Sequence, residues 1–195
     1  MTEPEITAGI LLFNDVQTMD FAAPLEVFDQ AKFRVFTVGK SKDPVKTSSG
    51  QPLIPMFDFD DHPAIDVLII PAGREFDTPS DAAEIAWMTK MSQTAKHVLT
   101  ICCGSIELAK AGLLGKRRAT THHGYLDDLR KFGPDATVVT GRKWVEDATL
   151  VTSGGLCSGI DASLYVVAKI KGMPEAERIA AWMEYPWAKD GVANY

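Results

Sequence analysis

The residues best suited to chemistry lie in one short segment, Ile101-Cys102-Cys103-Gly104-Ser105. A β-branched apolar run from His97 to Ile101 ends there, and apolar residues then recur at helical spacing. This order predicts a strand, a sharp turn at Cys102 and a helix, as in the nucleophile elbow of other α/β enzymes. The free N–H groups at a helix N-terminus favour an anion, so we expect a Cys102 thiolate to form below the ordinary cysteine pKa of about 8.5. Cys102 is therefore a candidate nucleophile; the alternative is that Cys102 and Cys103 are small buried residues.

A carboxyl group and several small residues follow other predicted strands. Asp20 opens a helix, either as an ordinary N-terminal charge or as an acid that exchanges protons with the thiol or a substrate. Ala72-Gly73 is either a simple turn or a place where backbone N–H groups join that of Cys103 to hold a developing negative charge. The same pocket would include Gly104, next to the candidate nucleophile.

Two histidines and a glycine pair are the remaining candidates. His122, from the pair His122-His123, is either a base for Cys102 or a solvated or capping residue, and the second role is the commoner one. No spacing of histidine, cysteine and carboxylate residues predicts a metal site. The pair Gly154-Gly155 lacks the other residues of phosphate-binding loops, so we expect no nucleotide cofactor and assign Gly155 to the pocket wall. Cys157 is expected to pack inside the protein.

The predicted elements that carry these residues alternate between strands and helices. Strands are expected at residues 6–13, 33–38, 65–71, 97–101, 118–121, 137–139, 144–146 and 150–152. Helices are expected at about 22–31, 82–95, from 103 to 112 or 115, 125–131, from a start within 156–161 to 170, and 174–185. Loops and short strands are expected over 41–61, and a turn with cap residues at 77–80. This alternation predicts an α/β fold with a mostly parallel sheet covered on both faces. Ligands bind such sheets beyond the carboxyl ends of the strands, where all the candidate residues lie.

The composition limits the classes of function. A chain of 195 residues fits a single domain covering residues 1–195, and its net charge of −6 argues against nucleic acid as a partner. Three cysteines, two of them adjacent, form no disulfide framework or C-x-x-C motif. The acidic N-terminus is unlike a signal peptide, and no apolar run approaches the roughly 20 residues of a membrane span. We therefore expect a cytoplasmic protein with no membrane contact.

The sequence resembles the ThiJ/PfpI superfamily, which is related to the class I glutamine amidotransferases, over nearly its whole length. The closest branch is the isonitrile hydratases together with the ligand-binding domains of AraC-type regulators. The resemblance is carried by residues 9–13, 19–24, 66–73, 101–114, 118–122 and 153–161, including Ala119-Thr120-Thr121-His122 and Gly159-Ile160-Asp161.

The resemblance implies a flavodoxin-like three-layer sandwich, commonly a homodimer, with Cys102 as nucleophile and Asp20 as its acidic partner. The implied activity is that of a hydro-lyase: water adds to a small isonitrile substrate through a Cys102 thioimidate to give an N-substituted formamide. No metal or organic cofactor is required.

The sequence departs from the family pattern in three ways, of which Cys103 in place of threonine and Ala72-Gly73 in place of a glycine pair bear on the substrate. Cys103 stands where the hydratases usually have threonine, and where the protease-like relatives have histidine, so peptidase activity is not expected. Ala72-Gly73 replaces a glycine pair. Three alternatives stay open: a ligand sensor without enzymatic activity, a redox or stress-response protein in which Cys102 is oxidised to sulfenic and sulfinic acid, and an enzyme that acts on metabolite aldehydes. The relatives that act on aldehydes usually carry glutamate where Asp20 stands. The sensor would add a DNA-binding helix-turn-helix segment, and we do not expect one within these 195 residues.

Overall fold

A seven-stranded sheet forms the centre of the molecule. The computed structural model describes residues 5–73 and 81–193. The strands in chain order are β1 (Thr7–Leu11), β2 (Arg34–Gly39), β3 (Val45–Lys46), β4 (Pro52–Leu53), β5 (Phe57–Asp58), β6 (Val67–Ile70), β7 (His97–Thr100), β8 (Arg118–Ala119), β9 (Thr137–Val138), β10 (Trp144–Asp147) and β11 (Leu150–Ser153). The central sheet has the order β10-β11-β7-β6-β1-β2-β5, while β3 pairs with β4 and β8 with β9. Within the central sheet only the β10–β11 pair is antiparallel.

Helices cover this sheet. They are α1 (Thr18–Gln30), α2 (Ala82–Thr94), α3 (Gly104–Lys110), α4 (Leu126–Phe132), α5 (Ser158–Lys171) and α6 (Met173–Trp182), with a short 3-10 helix at His123–Tyr125. Helix α5 packs against both α1 and α6, and α3 packs against α4. The predicted α/β class with a mostly parallel, flavodoxin-like sheet flanked by helices is confirmed.

The innermost strands are apolar on both sides because helices cover both faces of a parallel sheet. All four residues of β6 are buried, and three of the four in β7. Among the described residues, no helix is long and apolar enough to cross a membrane.

The first helix differs from the prediction at its start. We expected a helix from about residue 22 with Pro24 in its first turn, whereas α1 begins at Thr18 and holds Pro24 in its interior. The proline lacks the N–H group that would otherwise bond to the carbonyl oxygen of Asp20. Because α1 begins at Thr18, Asp20 is the third residue of the helix. The predicted turn at 77–80 lies outside the described residues.

Candidate active site

The turn between β7 and α3 holds Cys102 at the carboxyl end of the sheet. Cys102 has φ 55°, in the left-handed region that non-glycine residues rarely adopt. Its N–H group donates to the carbonyl oxygen of Gly154 (3.1 Å) and to Ser153 Oγ (3.3 Å), both at the end of β11. Its carbonyl oxygen accepts a hydrogen bond from Thr121 Oγ1 at 3.0 Å. Neighbouring strand ends therefore hold the strained turn in place.

Gly104 allows α3 to begin close to the sheet. A Cβ atom at this position would lie 2.1 Å from the carbonyl oxygen of Ile70, which is far inside any allowed contact. The absence of a side chain thus lets the first turn of α3 pass over the end of β6. This close approach fixes the position of the preceding cysteines.

Asp20 is an acidic group that interacts with Cys102 in this turn. Its side chain is completely buried, and the Ala72 N–H group donates to Oδ2 at 3.2 Å. The other oxygen, Oδ1, has no hydrogen-bond partner among the described residues. Burial raises the pKa of Asp20 from 3.8 to about 7, against smaller lowering effects of the Ala72 amide and the Cys102 side chain. The carboxyl group thus titrates near neutral pH.

The Cys102 thiol is a neutral group in this setting. The S–H group points to Cys103 Sγ, with 3.8 Å between the two sulfur atoms. This contact, burial of the thiol and the negative charge of Asp20 all raise the pKa of Cys102, while the Cys103 amide lowers it. The expectation that helix N–H groups keep a thiolate below the ordinary pKa is wrong in its direction. Helix α3 has only seven residues, and the lowering effect comes from the backbone amide of Cys103, its N-cap residue, which the larger raising effects outweigh.

Asp20 and Cys102 act on each other in opposite directions. The negative charge of Asp20 raises the pKa of the Cys102 thiol, whereas the Cys102 side chain lowers the pKa of Asp20, so the thiol loses its proton most easily when the carboxylate accepts it. A carboxyl group with a pKa near 7 is well matched to move a proton at neutral pH. The arrangement is chemically suited to nucleophilic attack by sulfur with proton transfer to Asp20.

In the turn after β6, the Ala72 N–H group does not have the expected role of binding a developing negative charge. The Ala72 amide is engaged by Asp20, so it orients the carboxyl group and is not free for a substrate oxygen. Gly73 lies against the neighbouring backbone, where a Cβ atom would be 2.3 Å from the carbonyl oxygen of Asp15. The amides of Gly73 and Cys103 stay the predicted donors to a developing negative charge.

His122 has the capping role that was the commoner alternative. Its Nδ1 accepts the Gly124 N–H group at 3.1 Å and caps the short 3-10 helix, which assigns the ring hydrogen of the neutral form to Nε2. Burial, followed by the charge of His123, lowers the pKa of His122. The ring covers Gly155, since a Cβ atom there would lie 2.1 Å from His122 Cδ2. His122 therefore caps the 3-10 helix, and its ring lies against Gly155.

Several supporting residues were not recognised from the sequence. Thr121 and Ser153 hold the backbone of the cysteine turn, and only their place beside strand ends could have indicated this. Asp161 is completely buried and joins Lys143 Nζ (3.0 Å) and Tyr185 Oη (2.8 Å). Cys157, which we expected to be packed inside, is exposed because it lies in the turn before α5. Over residues 5–73 and 81–193, no three histidine, cysteine or carboxylate side chains converge as metal ligands would.

Comparisons with known proteins identify the family of this chain. A sequence model described as the DJ-1/PfpI family matches residues 7–169. An isonitrile hydratase from Pseudomonas putida is 33% identical over 179 residues, which cover 91% of this chain and 77% of that protein. A transcriptional regulator from Pseudomonas aeruginosa is 31% identical over 115 residues, 59% of this chain and 34% of the regulator. A crystal structure of a ThiJ/PfpI family protein from Pseudomonas syringae superposes with a TM-score of 0.85 at 30% identity, over 93% of this chain and 76% of that one. This chain therefore belongs to the DJ-1/PfpI family.

Proposed function

We propose that this protein is a cysteine-dependent hydro-lyase that adds water to a small isonitrile and releases an N-substituted formamide. The observation that carries the proposal is the buried Asp20 carboxyl group, with a pKa of about 7, facing the Cys102 thiol. The similarity to an isonitrile hydratase supports the choice of substrate class.

The first step joins the thiol to the substrate. Cys102 Sγ attacks the terminal carbon of R–N≡C while the Asp20 carboxylate takes the S–H proton. The protonated Asp20 then gives this proton to the same carbon, which leaves a thioimidate, R–N=CH–S–Cys102. Because Asp20 takes the proton as the sulfur attacks, no free thiolate needs to accumulate in the buried site.

The second step releases the product. Asp20, again a carboxylate, accepts a proton from a water molecule that adds to the thioimidate carbon. Transfer of that proton to nitrogen gives the adduct R–NH–CH(OH)–S–Cys102. The C–S bond then breaks as the hydroxyl oxygen forms the C=O bond, and the hydroxyl proton passes to the departing sulfur, which gives R–NH–CHO and the free thiol. The Oδ1 atom, which has no hydrogen-bond partner among the described residues, is the oxygen available for these transfers. Water and isonitrile together account for every atom of the formamide.

The surrounding backbone supports both steps. The Cys103 amide stabilises charge on the sulfur, and the Ala72 amide holds Asp20 in place. In the proposal, Gly73, Gly104, His122 and Gly155 shape the substrate pocket, and no metal or organic cofactor takes part.

The test is formamide production from a series of isonitriles, measured by chromatography against authentic products. We expect turnover by the natural sequence and by Cys157→Ser, whose exposed thiol lies outside the proposed chemistry. Cys102→Ala should abolish turnover, and Asp20→Asn should lower kcat by about 10²–10⁴-fold, the usual contribution of a general acid or base.

Two results would contradict the proposal. The first is the absence of formamide with every isonitrile, and the second is undiminished turnover by Cys102→Ala. Tight isonitrile binding without turnover, measured by calorimetry, would replace the enzyme by the ligand-sensor alternative.

A further inference from the structure

Two adjacent thiols lie together in the turn after β7. Consecutive side chains of an extended strand point to opposite faces, but the left-handed conformation at Cys102 turns its side chain towards that of Cys103. The two sulfur atoms are 3.8 Å apart and both side chains are nearly buried, at 7% and 6% exposed. The hydration steps above do not use the Cys103 thiol as a nucleophile, so a separate role for this thiol is considered.

The separation of the sulfur atoms suits bond formation after a small movement. A disulfide bond needs about 2.05 Å between sulfur atoms, which rotation about the Cα–Cβ bonds of both residues must provide. Adjacent residues hold their Cα atoms about 3.8 Å apart, below the usual 4.4–6.8 Å of disulfides. A bond between Cys102 and Cys103 is therefore strained, and strained disulfides are easily reduced.

We propose that Cys103 is a resolving thiol, and that a hydroperoxide converts the Cys102–Cys103 pair into a reversible vicinal disulfide. This inference goes beyond the proposed hydration and does not depend on it. In the first step Cys102 sulfur attacks one peroxide oxygen, the O–O bond breaks, and sulfenic acid and water (or an alcohol) form. In the second step Cys103 sulfur attacks Cys102 sulfur, the S–O bond breaks, and the hydroxyl group leaves with the Cys103 proton as water. Two thiols are oxidised and the peroxide is reduced.

Proximity favours the disulfide over further oxidation. The second thiol is fixed beside the sulfenic acid, whereas a second peroxide molecule must enter a nearly closed site. Asp20 accepts the proton that Cys102 loses in the first step, as in the hydration proposal. The vicinal disulfide would block Cys102 as a nucleophile for as long as it persists. It would also protect the Cys102 sulfur from oxidation to sulfinic acid, which thiol reductants do not reverse.

The chain itself allows a direct test by mass spectrometry. Trypsin cleavage after Lys96 and Lys110 places both cysteines on the peptide 97–110, and Cys157 falls on the separate peptide 144–169. We treat three folded proteins with hydrogen peroxide: the natural protein, Cys103→Ser and Cys157→Ser. Free thiols are then blocked with N-ethylmaleimide, the proteins are digested, and peptide masses are measured with and without dithiothreitol.

We expect peptide 97–110 of the natural protein to lose two hydrogen atoms and to resist blocking, with full recovery of two free thiols after dithiothreitol. Cys157→Ser should behave identically. In Cys103→Ser the same peptide should gain one and then two oxygen atoms, and the second gain should persist in reductant.

The proposal is overturned if peptide 97–110 of the natural protein gains oxygen instead of losing hydrogen, stays unmodified, or links to peptide 144–169. If Cys103→Ser does not fold, the natural protein and Cys157→Ser still decide the outcome. The measurement uses no isonitrile, so loss of either proposal leaves the other standing.

Discussion

Replacement of Asp20 by asparagine should stabilise the protein in a way that depends on pH. The carboxyl group is completely buried with one hydrogen bond, from the Ala72 amide, and burial raises its pKa to about 7. Asparagine has nearly the same shape but carries no charge at any pH. The substitution therefore removes the cost of burying a carboxylate and changes little else in volume.

The size of the effect follows from proton linkage. Between pH 3.8 and about 7 the folded protein keeps a proton on Asp20 that the unfolded chain releases. The free energy of unfolding consequently falls as the pH rises through this range, and is independent of this group above it. The difference between the two pKa values corresponds to about 4 kcal/mol of stability, present in full below pH 3.8 and lost above about pH 7.

The assay is urea unfolding of the natural protein and Asp20→Asn at pH 4.5 and pH 8. Other groups titrate in both proteins, so the difference between them isolates Asp20. We compare the free energies of unfolding of the two proteins at each pH. The value for Asp20→Asn minus that for the natural protein should be about 3 kcal/mol larger at pH 8 than at pH 4.5. Asp135→Asn, at an exposed side chain, is the matched control for the same exchange in water. A difference that stays constant with pH, or one that changes in the opposite direction, would refute the reasoning.

Three further predictions concern the same framework. If the Asp20 carboxylate takes the thiol proton, kcat/KM for isonitrile should fall tenfold per pH unit below about pH 7, and a flat profile would argue against this role. Gly104→Ala should lower the free energy of unfolding by at least about 2 kcal/mol, because the added Cβ atom clashes with the backbone. Gly50→Ala, where φ is 84° and the space is open, should lower it by about 1 kcal/mol. Equal losses in urea unfolding would contradict the clash. Asp161→Ala leaves a lysine, a tyrosine and an amide without their buried partner, so it should lower the free energy of unfolding by about 3–5 kcal/mol. Glu177→Ala, which breaks a surface ion pair, should lower it by about 0–1 kcal/mol. Similar losses in the two variants would contradict the buried role of Asp161.

Local patterns predicted most elements around the site because each had its own physical signal. The run Val67–Ile70 is buried on both faces of the sheet, and α2 begins at the expected residue 82. Its cap is Asp81, which accepts the Ala83 N–H group at 2.8 Å and follows the cap residues expected at 77–80. The start of α1 was missed because a proline usually marks a first turn, while packing holds Pro24 inside this helix. The homodimer, the cytoplasmic location and the single domain stay predictions.

The sequence by itself determined the fold class and that Asp20, Cys102 and Gly155 would come to the same edge of the sheet. It could do so because strand and helix periodicity and the parallel order of strands are local or topological properties. Only the tertiary structure decided the protonation of the site and the contact between the two thiols. Both depend on burial and on which groups face one another, and those distances come from packing between segments far apart in the chain.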